Sequence, residues 1–308
     1  MKIAVVGKGL AGLGALFHLK KLNCDLTVFY HEKGASWAAS GLMHAFVGDT
    51  GEKSYLGDEG FFESLEIFKT LPLNFYEKTS FIRTVLSDEM KKAFEKASRL
   101  DLEFLDDANV LIKNGIKVDV PLYLEELEKS FKSQGVRFVQ KKITTINEIQ
   151  GFDLVILACG QGIKDLSSLK MKYLKGQSFI FDDLNKHEKP LIAKGYLVPF
   201  KNKVIIGSTY EKKFDSDLPD IYTAFRYLEE PLKKYFKPYD EMTPKGVLSG
   251  VRVAHPNYNH PKIIQLDEKV FAITGLGSRG LLYHGLVGKQ LAQFLQKKDI
   301  LSEFFKLL

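Results

Sequence analysis

A short β-branched run that ends on a glycine turn constrains this chain more than any other feature. Lys2-Ile-Ala-Val-Val6 leads straight into Gly7-Lys8-Gly9-Leu10-Ala11-Gly12; the apolar spacing from Leu10 to Leu22 is then helical, and Leu26 to Phe29 returns to strand character. Strand, GxGxxG turn, helix and second strand within about 30 residues make a βαβ unit, so a parallel sheet starts here and a dinucleotide is its expected ligand. Gly7 makes the tight turn, Gly9 lets a pyrophosphate approach the backbone, and Gly12 lets the helix pack closely on the strand. Leu10 and Ala11 open the helix, whose free N–H groups then face the phosphate charge.

Such a unit also wants an acid about 20 residues beyond its last glycine, to accept the ribose hydroxyls. Glu32 occupies that place, followed by Lys33, although Tyr30 is the residue directly after Leu26-Thr27-Val28-Phe29. A solvated surface carboxylate is the competing reading of Glu32. The next stretch, Gly34 to His44, is small and hydroxyl-bearing and contains Ser40 and Gly41. It suits a backbone that passes a diphosphate on its way to a flavin ring, whereas an NAD-binding unit runs straight on into helix. FAD is therefore the expected cofactor, with Lys33, Ser40, Gly41, His44 and Gly160 as further candidate contacts. A lone histidine such as His44 is also read as a packed ring with one satisfied nitrogen.

Downstream, the pattern predicts helices near 59–70, 87–98, 119–133, 217–234 and 280–296. Strands are predicted near 79–86, 109–118, 136–139, 153–158, 246–253, 262–266 and 270–274. From Tyr173 to Gly207 short β segments dominate, with Lys201-Asn202-Lys203 as a hairpin turn. The expected fold is α/β: a Rossmann-type FAD-binding domain (1–75, 119–168 and 262–308) with an inserted antiparallel-sheet substrate domain (76–118 and 169–261).

The length of 308 residues accommodates two packed lobes around a large cofactor. Cys24 and Cys159 lack metal-ligand spacing, and Cys159 lies in a buried strand, so neither is assigned chemistry. Lys8 interrupts the opening apolar run and no cleavage site follows, which argues against a secretory signal and for a cytoplasmic protein. A membrane partner is not expected, because no apolar run is long enough to span. The net charge of +6 favours anionic partners, although the lysines are scattered along the chain.

Further motifs carry a resemblance. They are Lys175-Gly176-Gln177, Gly195-Tyr196-Leu-Val-Pro199, Ile206-Gly207-Ser-Thr-Tyr210, Gly250-Val251-Arg252 and Gly275-Leu276-Gly277-Ser278-Arg279-Gly280-Leu281. With the delayed acid and the Ser40-Gly41 loop they span nearly the whole chain. The sequence resembles the D-amino-acid oxidase superfamily and, within it, the FAD-dependent C-terminal oxidase domain of the MnmC tRNA-modification proteins. It departs from that family in having no methyltransferase half and in matching only loosely over Val253–Pro261.

The resemblance implies an oxidase that removes the carboxymethyl group, as glyoxylate, from 5-carboxymethylaminomethyl(-2-thio)uridine at the tRNA wobble position. The alternatives are an oxidase of free glycine, sarcosine or a D-amino acid, and a non-catalytic flavoprotein that binds tRNA. Gly277, Ser278, Gly280 and Leu281 form a Gly-rich helix entry, expected to meet the flavin pyrimidine edge with free N–H groups. Arg252 is the candidate clamp for a substrate carboxylate, a structural Arg being the competing reading. Tyr196 matches a substrate-contacting tyrosine of glycine oxidase-like members, or is a cross-strand aromatic. Arg279 is the third candidate catalytic residue, able to neutralise an anion at the mouth or simply to cap the turn.

Overall fold

The computed structural model describes residues 1–46, 50–72, 75–183, 187–298 and 304–307. Residues 47–49, 73–74, 299–303 and 308 of the expected cofactor-binding segments, and 184–186 of the expected substrate domain, lie outside the described residues. In chain order the N-terminal third contains β1 (Lys2–Val6), α1 (Leu10–Leu19), β2 (Asp25–Tyr30), β3 (Leu42–Met43), α2 (Gly57–Lys69), β4 (Tyr76–Thr84), α3 (Asp88–Lys96) and β5 (Leu102–Phe104). The middle adds β6 (Asn109–Val118), α4 (Val120–Ser133), β7 (Arg137–Gln140), β8 (Leu154–Leu157), α5 (Ile163–Leu166), β9 (Lys172–Asp182), β10 (Leu191–Ala193), β11 (Gly195–Phe200) and β12 (Lys203–Gly207). The last part is α6 (Ile221–Tyr235), β13 (Gly246–Ala254), β14 (Lys262–Asp267), β15 (Val270–Thr274), α7 (Gly280–Leu295) and β16 (Phe305–Leu307).

These strands form two sheets. The first runs β16-β14-β15-β8-β1-β2-β7, parallel except for the antiparallel β14–β15 pair. Its centre, β1, registers Ile3 with Leu26 on one side and with Leu154 on the other. Ile3, Ala4 and Val5 are therefore covered on both faces, which is why the run is apolar throughout rather than alternating. The second sheet runs β13-β9-β12-β11-β10-β4-β6-β3, with β5 added to β6. It is antiparallel as expected save for one parallel pair, β10 with β4.

Local chemistry sets the helix ends. Asp119 accepts the Leu122 N–H, and Pro121, in the first turn of α4, needs no hydrogen-bond partner there. Asp220 accepts the N–H groups of Tyr222 and Thr223, so α6 starts at Ile221 rather than at the predicted 217. The hairpin turn is also shorter than predicted, because Lys203 pairs with Phe200 as the first residue of β12. Lys201 turns the chain at φ +54°.

α1 and α7 cross at glycines. A Cβ on Gly14 or Gly288 would strike backbone of the opposite helix. Around this crossing two histidines are buried. His284 Nδ1 lies 2.9 Å from the Leu281 carbonyl, so it carries the proton, and Nε2 accepts from the Tyr123 hydroxyl at 2.7 Å. Burial lowers its pKa to about 4; burial, reinforced by Lys21 and Lys289, lowers that of His18 to about 3.

Both rings stay neutral in the fold, whereas an unfolded chain protonates them near pH 6.5. Their stabilising contribution is complete above that pH and declines as the pH falls towards 4, because only the unfolded state takes up the protons. At about 1.4 kcal/mol per pKa unit, each histidine should cost roughly 2 kcal/mol of stability by pH 5. The urea midpoint should fall clearly between pH 7.5 and 5; an unchanged midpoint would refute neutral burial.

Candidate functional site

A cavity of about 540 Å³ lies between the two sheets and is walled by both. It runs along the carboxyl ends of β1 and β2, where an open α/β sheet places its ligands. Lys141–Ile143 line it on one side; β13 and the start of α7 also form part of its wall.

The first βα turn enters this wall at Gly7, Lys8, Gly9, Leu10 and Ala11. Gly7 has φ +112°, and a Cβ there would collide with the Ala158 carbonyl. A Cβ on Gly12 would collide with the Gly7 carbonyl, so this glycine serves helix-on-turn packing rather than the cavity. Gly9 differs: its Cβ would meet only the Ser36 side chain, with Oγ at 2.9 Å. Beyond that hydroxyl the position is open to the cavity.

Ser36 is a residue that sequence reasoning passed over. Its Oγ accepts the Leu10 N–H at 3.1 Å, at the N-terminus of α1. The signal was present in the small, hydroxyl-bearing stretch after β2, but nothing in the sequence says which serine folds back 26 residues to the helix. Residues 35–38 form a single helical turn beside Gly250 of β13, where a Cβ would come within 2.7 Å of the Ala35 Cα.

Glu32 and Lys33 both line the cavity. Glu32 is exposed, with its carboxylate 3.0 Å from His31 Nε2, and Lys33 Nζ sits 4.2 Å over the Trp37 ring. Tyr30, the last residue of β2, is covered by Lys8 Nζ at 3.9 Å; Lys8 also pairs with Glu128 at 2.8 Å. Ser40 and Gly41 line the wall, Gly41 at φ +83°, as does Gly160.

At the other side the turn before α7 contributes Gly277, Ser278, Gly280 and Leu281. The Gly277 N–H donates to the Val253 carbonyl at 2.8 Å, which ties this turn to β13. The first-turn N–H groups of a helix have no intrahelical acceptors and carry its positive end. Two helix N-termini thus reach one cavity.

The structure does not bring Arg279 or His44 into the cavity wall. Arg279 Nη1 donates to the Asn259 carbonyl at 2.7 Å, tying the turn to the 255–261 loop. His44 Nδ1 accepts the Phe46 N–H at 3.2 Å, and its ring stands edge-on to Phe81. Burial, then the charges of Arg83 and Arg279, lower its pKa to about 4.

Arg252 and Tyr196 do reach the cavity, together with Ser178. The Tyr196 hydroxyl is 2.9 Å from Ser178 Oγ. Arg252 Nη2 donates to the Thr209 carbonyl at 2.9 Å, and its Cζ lies 5.6 Å from the centre of the Tyr210 ring. Its Nε is buried without a hydrogen-bond partner. A buried donor left unpaired costs free energy unless a ligand completes it, so this edge of the guanidinium is ready for an acceptor.

The cavity suits an elongated ligand with an anionic centre. Gly9 leaves room for a diphosphate at the α1 N-terminus, and the α7 turn can face a second electron-rich group. The residues present fit FAD on this ground. Among the described residues no group of three or more His, Cys, Asp or Glu side chains could hold a metal ion, and no helix is long and apolar enough to cross a membrane.

Comparison with known proteins agrees. A family described as FAD dependent oxidoreductase (DAO) matches residues 2–294. No curated protein sequence matches the chain. Among solved structures, the chain is similar to glycine oxidase from Geobacillus kaustophilus (TM-score 0.79, 16% identity, covering 96% of this chain and 95% of that one). It is also similar to iminodiacetate oxidase from Chelativorans sp. BNC1 (0.78, 16%, 99% of each). A third is L-proline dehydrogenase from P. horikoshii (0.77, 16%, 96% and 93%). At these identities the likeness establishes the fold.

Proposed function

The chain belongs to the DAO family of FAD-dependent oxidoreductases, and from that premise we propose that it oxidises a carboxymethyl-substituted secondary amine. The substrate proposed is the 5-carboxymethylaminomethyl(-2-thio)uridine of a tRNA wobble position. The observation that carries this reading is the unpartnered Nε edge of Arg252, beside Tyr196 in the wall of the cofactor cavity. A guanidinium anchored through Nη2 and with its Nε donor unpaired is suited to a carboxylate.

When bound, the flavin supplies a two-electron acceptor for carbon–nitrogen oxidation. The chain's own groups then have defined roles. Arg252 holds the carboxylate, and the Tyr196–Ser178 pair borders the same space. The α7 N-terminus stabilises negative charge that develops nearby. Loss of a hydride and a proton converts the N–CH₂ bond of the carboxymethyl arm to C=N. Addition of water releases glyoxylate and leaves the 5-aminomethyl uridine.

Two features support a nucleic-acid substrate over a free amino acid. One is the Gly275–Leu281 motif, which resembles tRNA-modifying relatives. The other is the set of exposed lysines on the cavity wall, Lys33, Lys142 and Lys164, which suits a polyanion. Iminodiacetate, named in one of the similar structures, is itself a carboxymethyl-substituted secondary amine.

Incubating the holoprotein with tRNA that carries the carboxymethylaminomethyl group should remove that group, as read by nucleoside mass spectrometry. Binding should weaken with salt at a slope of about −0.7 per phosphate contacted in single-stranded RNA. Rapid oxidation of free glycine or sarcosine, with the tRNA unchanged in mass, would replace this reading by the free amino-acid one. Failure of any amine to bleach the flavin anaerobically, with tRNA still bound, would leave a non-catalytic binding protein.

A further inference from the structure

On the side of the second sheet away from the cavity, three polar side chains are buried together: Gln177 (0% exposed), Thr209 (1%) and Glu211 (2%). The Glu211 carboxylate accepts from the Thr209 hydroxyl and, at 3.0 Å, from Gln177 Nε2. Thr209 Oγ1 in turn accepts the Gln177 N–H at 2.9 Å, and the Thr209 N–H donates to the Gln177 carbonyl at 3.0 Å. Lys175 and Glu211 exchange both backbone hydrogen bonds, each 3.0 Å. Gln177 Oε1 accepts the N–H of Asp220, the residue that caps α6.

None of these three side chains lines the cavity, yet they fix the residue whose carbonyl anchors Arg252. The guanidinium rests on Gly176, where a Cβ would come within 2.5 Å of Nη2, and beside the ring of Tyr210. Its position is therefore set by a glycine floor, by the Thr209 carbonyl and by the ring of the next residue. Thr209 and Tyr210 take their own positions from the clasp that Glu211 closes between them and β9.

A buried carboxylate is costly to desolvate, and a self-satisfied polar set of this kind can be exchanged for apolar packing at little loss of stability. What such a network supplies is direction. We infer that Glu211 is a positioning residue for the substrate carboxylate: by holding Thr209 it sets the angle at which Arg252 presents its Nε edge. This rests on the carboxylate reading of Arg252 above. Gln177 is the second arm of the clasp, so that Lys175-Gly176-Gln177 serves as floor and brace for one guanidinium.

The test uses the holoprotein and two inert probes. Methoxyacetate has the shape of N-methylglycine with the amine replaced by oxygen, and methoxyacetamide is its uncharged counterpart; binding of each is followed by perturbation of the flavin absorbance. Glu211→Ala should weaken methoxyacetate roughly tenfold and leave methoxyacetamide unchanged, a size usual for residues coupled through one network. Glu211→Gln keeps an acceptor oxygen for Thr209 and Gln177 and should bind as wild type does. In an Arg252→Ala background, Glu211→Ala should add no further loss.

If Glu211→Ala binds methoxyacetate normally while Arg252→Ala does not, the inference fails and the carboxylate reading stands. Equal losses for both probes, or a Gln variant as weak as the Ala variant, also overturn it. If wild type shows no preference for methoxyacetate, or Arg252→Ala keeps that preference, the carboxylate reading itself falls and takes the inference with it.

Discussion

Gly9→Val should yield a folded, colourless protein. The three glycines of the first turn separate by what a side chain would strike. At Gly7 and Gly12 it strikes backbone, at the Ala158 and Gly7 carbonyls, so substitution there damages the sheet and helix themselves. At Gly9 it meets only a serine side chain that can rotate away, and the backbone, at φ −82° and ψ −172°, is a conformation valine adopts freely. What valine fills is the approach to the α1 N-terminus, the place expected for the diphosphate of FAD against bare backbone. Trp37, the single tryptophan of the chain, lines the same cavity and provides a second readout. Added FAD should quench Trp37 fluorescence in the apo wild type and leave it unchanged in Gly9→Val, with both proteins unfolding cooperatively in urea. A yellow Gly9→Val protein, or one that does not fold, contradicts this division of labour.

Arg252→Lys should raise the KM for a carboxylate-bearing substrate by about 10- to 150-fold, the equivalent of roughly 1.5–3 kcal/mol for a charged hydrogen bond. An arginine can bond the Thr209 carbonyl through one edge and a carboxylate through another. A lysine ammonium is a single point at the end of a flexible stem and cannot do both in fixed geometry. FAD content should not change, since the side chain's own hydrogen bond goes to the Thr209 carbonyl. The measurement is KM with and without the carboxylate on the substrate. Full activity of Arg252→Ala towards the carboxylate form would make this arginine a structural one.

The cofactor half of the molecule was legible because its signals are local. Glycine spacing, the change of apolar period from two to about 3.6, and a Gly-rich turn before α7 each report on neighbours within a few residues. The substrate half was less so. Arg279 and His44 sit beside those local signals, but sequence adjacency does not choose a rotamer, and both turn to backbone partners outside the cavity wall. Ser36 and Ser178 gained their places through contacts with segments 26 and 18 residues away, and Glu211 through Gln177, 34 residues away. The parallel pairing of β10 with β4 joins segments more than 100 residues apart, and no turn chemistry announces it.

The strand order of the first sheet bears on how the chain is made. β1 leaves the ribosome well before its neighbour β8, which follows about 150 residues later, and β15 comes later still. α7, which packs against α1 and supplies the second helix end of the cavity, begins at residue 280. The first βα turn is therefore made long before the start of α7, which walls the same cavity. Non-local pairing of this kind is slow and exposes apolar strands in the interval.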